Sequence, residues 1–124
     1  MFRVRLVFVL DCSDPGKLAQ FWSDALGYRI DPGDPYVVLI PTRPDEPELL
    51  LQRVPEPKVG KNRMHLDMRV DQLEPEVKRL TALGARILSP EPIVEEGFRW
   101  VVLADPEGNE FCVVTEPPGI RPAT

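Results

Sequence analysis

The chain has 124 residues, of which 43% are hydrophobic and 28% are charged, and its formal net charge is -5 at pH 7. This length suits a single domain that buries a core without disulfides or metal ions. The acidic balance disfavours a nucleic-acid partner, which needs a basic surface to neutralise phosphates. No apolar run approaches the roughly 18 residues that span a bilayer, and no signal-peptide pattern is present. We therefore expect a cytoplasmic protein with neither a nucleic-acid nor a membrane partner.

The first half of the chain has the pattern of a β-α-β-β-β unit. Residues 3–10 alternate between apolar and polar side chains, which is the period of a strand. Asp14 as N-cap and Pro15 at the first helical position predict a helix, which Gly27 ends. Three short β-prone runs follow, separated by Pro, Gly and Asp clusters, at residues 28–31, 36–41 and 48–54.

The second half repeats this order. Residues 63–70 predict a strand, and residues 71–83 predict a helix with Asp71 and Glu74 as a variant of the capping box and Gly84 as its end. Three more predicted strands follow at residues 85–88, 98–104 and 109–115.

Two connectors separate the last strands. The proline-rich stretch at residues 90–92 indicates an irregular connection. The segment Asp105-Pro106-Glu107-Gly108-Asn109 is typical of a turn, with Gly108 and Asn109 placed for positive φ.

The two halves also match each other residue by residue. The segment from Asp14 to Gly27 matches the segment from Asp71 to Gly84, and Val54 matches Val114. An internal duplication is the simplest explanation. The alternative is two unrelated helices in an α+β domain, since helices commonly end in Ala-Leu-Gly.

Three ordered blocks, at residues 10–28, 65–85 and 100–112, cover nearly the whole chain. They contain Leu-Asp-Cys-Ser-Asp-Pro, then His-Leu-Asp, then Asp-Pro-Glu-Gly-Asn-Glu-Phe-Cys. They resemble the glyoxalase-like domain of the glyoxalase/bleomycin-resistance/dioxygenase (vicinal oxygen chelate) superfamily. That superfamily includes lyases, isomerases, dioxygenases and drug-sequestering proteins, so the resemblance implies where a site lies and not which reaction it performs.

The resemblance implies an α+β fold of two β-α-β-β-β modules that form a cup-shaped pair of half-barrels with the helices outside. Module one covers about residues 3–54 and module two about residues 63–115. We expect a single domain over residues 1–117 and a flexible tail at residues 118–124. Exposed strand edges predict that the protein pairs as a homodimer.

Strand parity predicts which side chains of residues 63–70 face the cup. Side chains alternate between the two faces of a strand. The apolar face, which includes Met64, should pack against a helix. The cup face should then carry His65, Asp67 and Arg69, joined from the first strand by Arg5 and Asp11. These charged residues suit either a structural ion-pair network or a substrate clamp.

Metal-dependent members of the superfamily place a ligand in the first and in the last strand of each half, typically His, Gln or Glu. The resemblance maps these positions onto Val7, Gln52, His65 and Cys112. Val7 cannot coordinate, Gln52 is a weak neutral donor, and none of the four is a carboxylate. We therefore expect no bound metal and no cofactor.

His65 is the only histidine in the chain. It is the candidate catalytic residue, because imidazole suits acid/base work near neutral pH. The alternatives are a hydrogen bond to a ligand, or a structural role bonded to Asp67 or Gln52.

The aromatic and sulfur side chains divide between core and cup. Trp22 lies on the apolar stripe of the first helix and is predicted to be core. Trp100 lies mid-strand in the second half, where the resemblance implies an aromatic wall of the pocket. Cys12 and Cys112 are too few for a disulfide framework and lack CxxC spacing, so both are expected to be free thiols, with Cys112 in the cup.

The leading hypothesis is a protein that binds a small-molecule ligand without a metal, either as a lyase or isomerase or by sequestration. The expected pocket residues are Val7, Gln52, His65, Asp67, Trp100 and Cys112. One rival is a divalent-metal-dependent lyase or dioxygenase with a non-standard ligand set of His65, Gln52 and a carboxylate such as Glu110 or Asp67. Another is a regulatory or assembly domain. The sequence does not identify the substrate.

Overall fold

The computed structural model of the chain describes residues 7–62 and 64–118. The chain divides into two compact units with the boundary between Val59 and Gly60, and these units are modules one and two. In the part of the chain so described, no helix is long and apolar enough to cross a membrane. The predicted cup residue Arg5 and all but Pro118 of the predicted tail lie outside the described residues.

Module one has the predicted order of elements. The strand order in its sheet is β1-β4-β3-β2, with β1 and β4 parallel and the other neighbours antiparallel. The first strand therefore pairs with the last. The elements are β1 (Val7–Cys12), α1 (Pro15–Leu26), β2 (Arg29–Asp31), β3 (Tyr36–Ile40) and β4 (Glu48–Arg53).

Helix α1 begins and ends where the sequence predicts. The Asp14 carboxylate accepts a hydrogen bond from the backbone N–H of Lys17 at 3.2 Å. Gly27 takes the left-handed conformation with φ 73° and donates its N–H to the Ser23 carbonyl. Trp22 is 1% exposed, which confirms that it belongs to the core. The buried stripe that contacts β3 and β4 consists of Leu18, Ala19, Phe21, Trp22 and Ala25.

Module two repeats module one with one strand added. Its sheet has the order β5-β9-β8-β6, with β5 and β9 parallel, and β7 pairs with β8. The added strand is β7, which lies in the stretch that the sequence predicts as a connector. The elements are β5 (Leu66–Arg69), α2 (Leu73–Leu83), β6 (Arg86–Ile87), β7 (Ile93–Glu95), β8 (Phe98–Ala104) and β9 (Glu110–Thr115).

A tight hairpin joins β7 to β8. Glu95 pairs with Phe98, and the two residues between them, Glu96 and Gly97, have φ values of 55° and 83°. Two positive φ values in a two-residue loop match the right-handed twist of the strands that it connects. The hairpin brings two carboxylates next to the start of β8.

Two local predictions at the start of module two are wrong. Helix α2 begins at Leu73 with Gln72 as its N-cap, so Asp71 does not cap it, and Gln72 makes no side-chain cap hydrogen bond. Met64 is 73% exposed and does not pack on a helix, because β5 begins only at Leu66.

The turn between β8 and β9 is organised by Asp105, which is 2% exposed. Its carboxylate accepts hydrogen bonds from the backbone N–H groups of Glu107 and Asn109, both at 2.9 Å, and from the Asn109 amide. Gly108 has the predicted positive φ of 87°, but Asn109 does not adopt one. Asn109 therefore stabilises the turn by donating hydrogen bonds to Asp105, and its backbone conformation is an ordinary one.

Candidate functional site

One face of the module-two sheet packs against α2, and the side chains of the other face line a cavity. The alternating residues Val101, Leu103, Phe111 and Val113 are buried, and α2 contacts β8 and β9. The residues between them line a cavity of about 520 Å³. Strand alternation therefore separates the core of the module from its candidate site.

One wall of this cavity is apolar and partly aromatic. Strand β8 contributes Phe98, Trp100 and Val102, and β9 contributes Cys112 and Val114. This confirms the predicted position of Trp100 on a pocket wall. Flat aromatic surfaces of this kind favour contact with ring-bearing molecules.

Strand β5 and the residue before it supply polar groups to the same cavity. His65 Nε2 lies 3.4 Å from an Asp67 carboxylate oxygen, and their side chains are 54% and 38% exposed. Arg69, two residues further on, lies in the cavity lining as well. The predicted parity of His65, Asp67 and Arg69 is therefore confirmed, and so is the contact between His65 and Asp67.

Arg69 is held in place mainly by residues other than Asp67. Its guanidinium is 3.1 Å from Glu116 and 3.8 Å from Asp67. The same group lies over the ring of Phe98, 5.6 Å from its centroid, which is within the range of a cation–π contact. Arg69 thus pairs more closely with Glu116 than with Asp67.

Glu110 lines the cavity and is occupied by cationic and backbone donors. Lys61 Nζ lies 3.1 Å from its carboxylate, and the backbone N–H of Asn62 donates to it at 3.1 Å. The Lys61 side chain is 77% exposed, so this ion pair contributes little to stability.

Cys112 lies buried in β9, directly opposite Asp67 on β5. Burial raises the pKa of its thiol to about 11, and the neighbouring carboxylates of Asp67 and Glu110 add to the increase. The thiol is therefore protonated at neutral pH. Cys12 and Cys112 are both free, as predicted.

The structure brings together four of the six predicted pocket residues. His65, Asp67, Trp100 and Cys112 all line the cavity of module two. Val7 and Gln52 belong to module one. Val7 lies opposite Glu48 and Gln52 opposite Asp11 in the ladder between β1 and β4.

Several cavity residues were not predicted from the sequence. Phe98 could have been found, because it shares the strand parity of Trp100. The pair Glu96-Gly97, flanked by Val94 and Phe98, is a signal for the β7–β8 hairpin that places Glu95 and Glu96 at the cavity. Lys61 precedes β5 in an irregular segment, where no periodicity indicates its direction.

The ladder registers show that two mapped equivalences, Val7 with His65 and Gln52 with Cys112, do not hold together. Cys112 lies opposite Asp67, whereas Gln52 lies opposite Asp11. If Val7 matches His65, then Val9 matches Asp67, and the residue opposite Val9 is Leu50. On that alignment the counterpart of Cys112 is Leu50, which cannot coordinate a metal.

The family-type metal site does not fit the residues present. Val7 and Leu50 offer only hydrocarbon, and Gln52 offers a neutral amide. The carboxylate of Glu110 is already bound by the Lys61 ammonium. A metal at those positions would therefore have no strong ligand from module one.

Solved structures similar to this chain share its fold. A glyoxalase/bleomycin resistance protein/dioxygenase family enzyme from Burkholderia phytofirmans PsJN superposes with a TM-score of 0.73 at 16% identity, covering 88% of this chain and 95% of that one. The fosfomycin resistance protein FosX from Mesorhizobium loti gives 0.72 at 12% identity, covering 95% and 96%. TioX from Micromonospora sp. ML1 gives 0.65 at 18% identity, covering 92% and 99%.

No curated protein sequence matches the chain significantly. The glyoxalase-like domain family, however, matches residues 7–114. These residues include all eleven helices and strands of the described part of the chain, apart from the last residue of β9. The chain therefore belongs to the glyoxalase-like domain family.

Proposed function

We propose that this protein binds a small ring-bearing organic molecule in the cavity of module two, and that this binding requires no metal. The observation that carries the proposal is a single sheet face that combines an aromatic wall with polar groups. Trp100 and Phe98 form the wall, and His65 and Arg69 are accessible beside it. A volume of about 520 Å³ falls within the usual range of roughly 300–1,000 Å³ for small-molecule sites.

The polar groups give the ligand an orientation. Arg69 is fixed by Glu116 and by the Phe98 ring, so it can donate to an acceptor on the ligand with little further loss of side-chain freedom. The exposed imidazole of His65 can donate or accept a hydrogen bond.

His65 also distinguishes a binding protein from a lyase or isomerase. Its ring contacts the Asp67 carboxylate, which orients the imidazole. If the protein is catalytic, His65 transfers the proton and Asp67 positions it. If the protein only sequesters its ligand, the same imidazole serves as a hydrogen-bonding wall.

The two tryptophans provide a direct test. Trp100 lies in the cavity and Trp22 is buried in module one, so a cavity ligand should quench only the fluorescence of Trp100. The chelator-treated protein is titrated with a panel of ring-bearing metabolites and antibiotics. Fosfomycin is included because a fosfomycin resistance protein shares the fold. We expect saturable quenching that is absent in Trp100→Phe and retained in Trp22→Phe.

Two substitutions at His65 separate the roles. His65→Asn keeps a hydrogen-bonding group, so it should preserve affinity in either case, but it should abolish turnover if His65 transfers protons. His65→Ala should weaken binding by about 1 kcal/mol or more through the lost hydrogen bond. Quenching that persists in Trp100→Phe, or no quenching by any member of the panel, would contradict the proposal.

A further inference from the structure

Three different metal-binding groups converge at one end of the module-two cavity. The imidazole of His65, a carboxylate oxygen of Asp67 and the sulfur of Cys112 all lie within 4.8 Å of one another. Two of these groups are positioned by the sheet itself, because Asp67 and Cys112 are direct partners in the β5–β9 ladder. The third belongs to the residue immediately before β5.

The spacing suits a tetrahedral ion. Zinc binds sulfur at about 2.3 Å and imidazole or carboxylate at about 2.0–2.2 Å, so donors around it lie roughly 3.3–3.7 Å apart. His65 Nε2 and the Asp67 oxygen are already 3.4 Å apart. Both side chains are more than a third exposed and can rotate toward the sulfur of Cys112, which the sheet holds in place.

The charges around the three groups favour a dication. Arg69 lies closer to Glu116, at 3.1 Å, than to Asp67, at 3.8 Å, and Lys61 pairs with Glu110. The Asp67 carboxylate is therefore only partly neutralised. The carboxylates of Asp67, directly opposite Cys112, and of Glu110 in the same cavity lining would attract a positive ion to the same place.

We propose that His65, Asp67 and Cys112 bind one zinc ion within module two, with the fourth coordination position open to the cavity. The thiol of Cys112 releases its proton to solvent when the sulfur coordinates. The thiolate and the carboxylate then balance the charge of the ion. Sulfur as a ligand favours zinc over magnesium or manganese.

This site uses two of the mapped family positions, His65 and Cys112. It differs from a family-type site because Asp67 is its third ligand, so that all of its ligands come from one module. It goes beyond the proposed ligand binding and departs from the expectation that no metal is bound. The two proposals can fail separately. Ligand binding is measured by Trp100 quenching in the presence of chelator, whereas zinc binding is measured without any organic ligand.

The test uses the full chain stripped with chelator and titrated with cobalt(II), a spectroscopic substitute for zinc. Cobalt bound by a thiolate gives a near-ultraviolet charge-transfer band, and tetrahedral cobalt gives intense visible bands. We expect both signals to saturate at one equivalent per chain and to disappear when zinc is added. A wild-type protein without the charge-transfer band would overturn the proposal.

Matched variants identify the ligands. Cys112→Ser should remove the charge-transfer band and weaken zinc binding at least about tenfold, while Cys12→Ser, at the other buried thiol, should retain both. His65→Ala and Asp67→Asn should each weaken zinc binding by a similar factor. Circular dichroism of each variant verifies that it is folded.

The variant Glu110→Gln tests whether the carboxylate ligand is Asp67, as proposed, or the neighbouring Glu110. We expect the charge-transfer band to persist in this variant, because Glu110 is held by Lys61 and Asn62. Loss of zinc binding in Glu110→Gln together with its retention in Cys112→Ser or Asp67→Asn would overturn the assignment. Loss of the band in Cys12→Ser would do so as well.

Discussion

Modules one and two share an order of elements but differ in what their helices bury. Helix α1 buries six of its residues, five of them in the apolar stripe that contacts β3 and β4. Helix α2 buries only Leu73 and Leu80. The side chains that can transfer protons or bind a metal are concentrated in module two instead. His65, Asp67 and Cys112 all lie on the face of its sheet away from α2.

At matching positions, module one carries inert side chains. Val7 and Val9 correspond to His65 and Asp67, and Leu50 corresponds to Cys112. Module one thus has the helix with more buried residues, and module two carries the candidate site.

The largest expected difference between the modules concerns their tryptophans. Trp22→Ala should lower the free energy of unfolding by about 3–5 kcal/mol, because it empties a fully buried position. Trp100→Ala should cost about 1 kcal/mol, because its ring is partly exposed at the cavity. Urea denaturation measures both values. Equal losses would show that the two modules do not divide stability and binding in this way.

A second difference lies in the turns before the last strand of each module. Asp105→Ala should destabilise the protein by about 2–3 kcal/mol, because buried N–H groups of the β8–β9 turn lose their acceptor. Asp45→Ala, in the exposed connection between β3 and β4, should change stability by less than about 0.5 kcal/mol. Thermal unfolding of the two variants side by side measures the contrast. A comparable shift in both would mean that Asp105 does not organise its turn.

The smallest predicted effect concerns the helix N-caps. Asp14→Ala should cost about 1 kcal/mol, since its carboxylate caps α1. Gln72→Asp should stabilise α2 by about 0.5–1 kcal/mol, because Gln72 occupies the N-cap position with extended backbone and no cap hydrogen bond.

Asp71→Ala is the control for this pair and should have almost no effect, because Asp71 is exposed and precedes the N-cap. These free energies are measured by urea denaturation. Destabilisation by Asp71→Ala as large as that of Asp14→Ala would mean that Asp71, not Gln72, supports the start of α2.

The sequence predicts most of the elements because their signals are local. The Asp14 cap, the Gly27 stop and the bounds of β8 are all confirmed. Strand alternation also predicts the shared face of His65, Asp67 and Arg69, whereas the family resemblance supplies Trp100 and Cys112. Strand β7 was missed because it has three residues, all exposed, and therefore no apolar periodicity.

Strand register and the convergence of side chains from different strands depend on long-range contacts, which a local sequence pattern does not reveal. The equivalences of Gln52 with Cys112 and of Val7 with His65 do not hold together, because the parallel ladders of the two modules have different registers. Register depends on how strands distant in sequence align. The convergence of His65 with Cys112 likewise arises only when β5 lies beside β9.

The parallel pairing of β1 with β4 also has a consequence for how the chain folds. Their partners, such as Val7 and Glu48, are separated by about 40 residues, so the contact closes a long loop. Loop-closure entropy makes such pairing slow compared with formation of a helix. The sheet of module one can be completed only after Arg53 has been synthesised, but it needs no residue of module two. A nascent chain can therefore complete the helix and sheet of module one while the residues of the candidate site are still being translated.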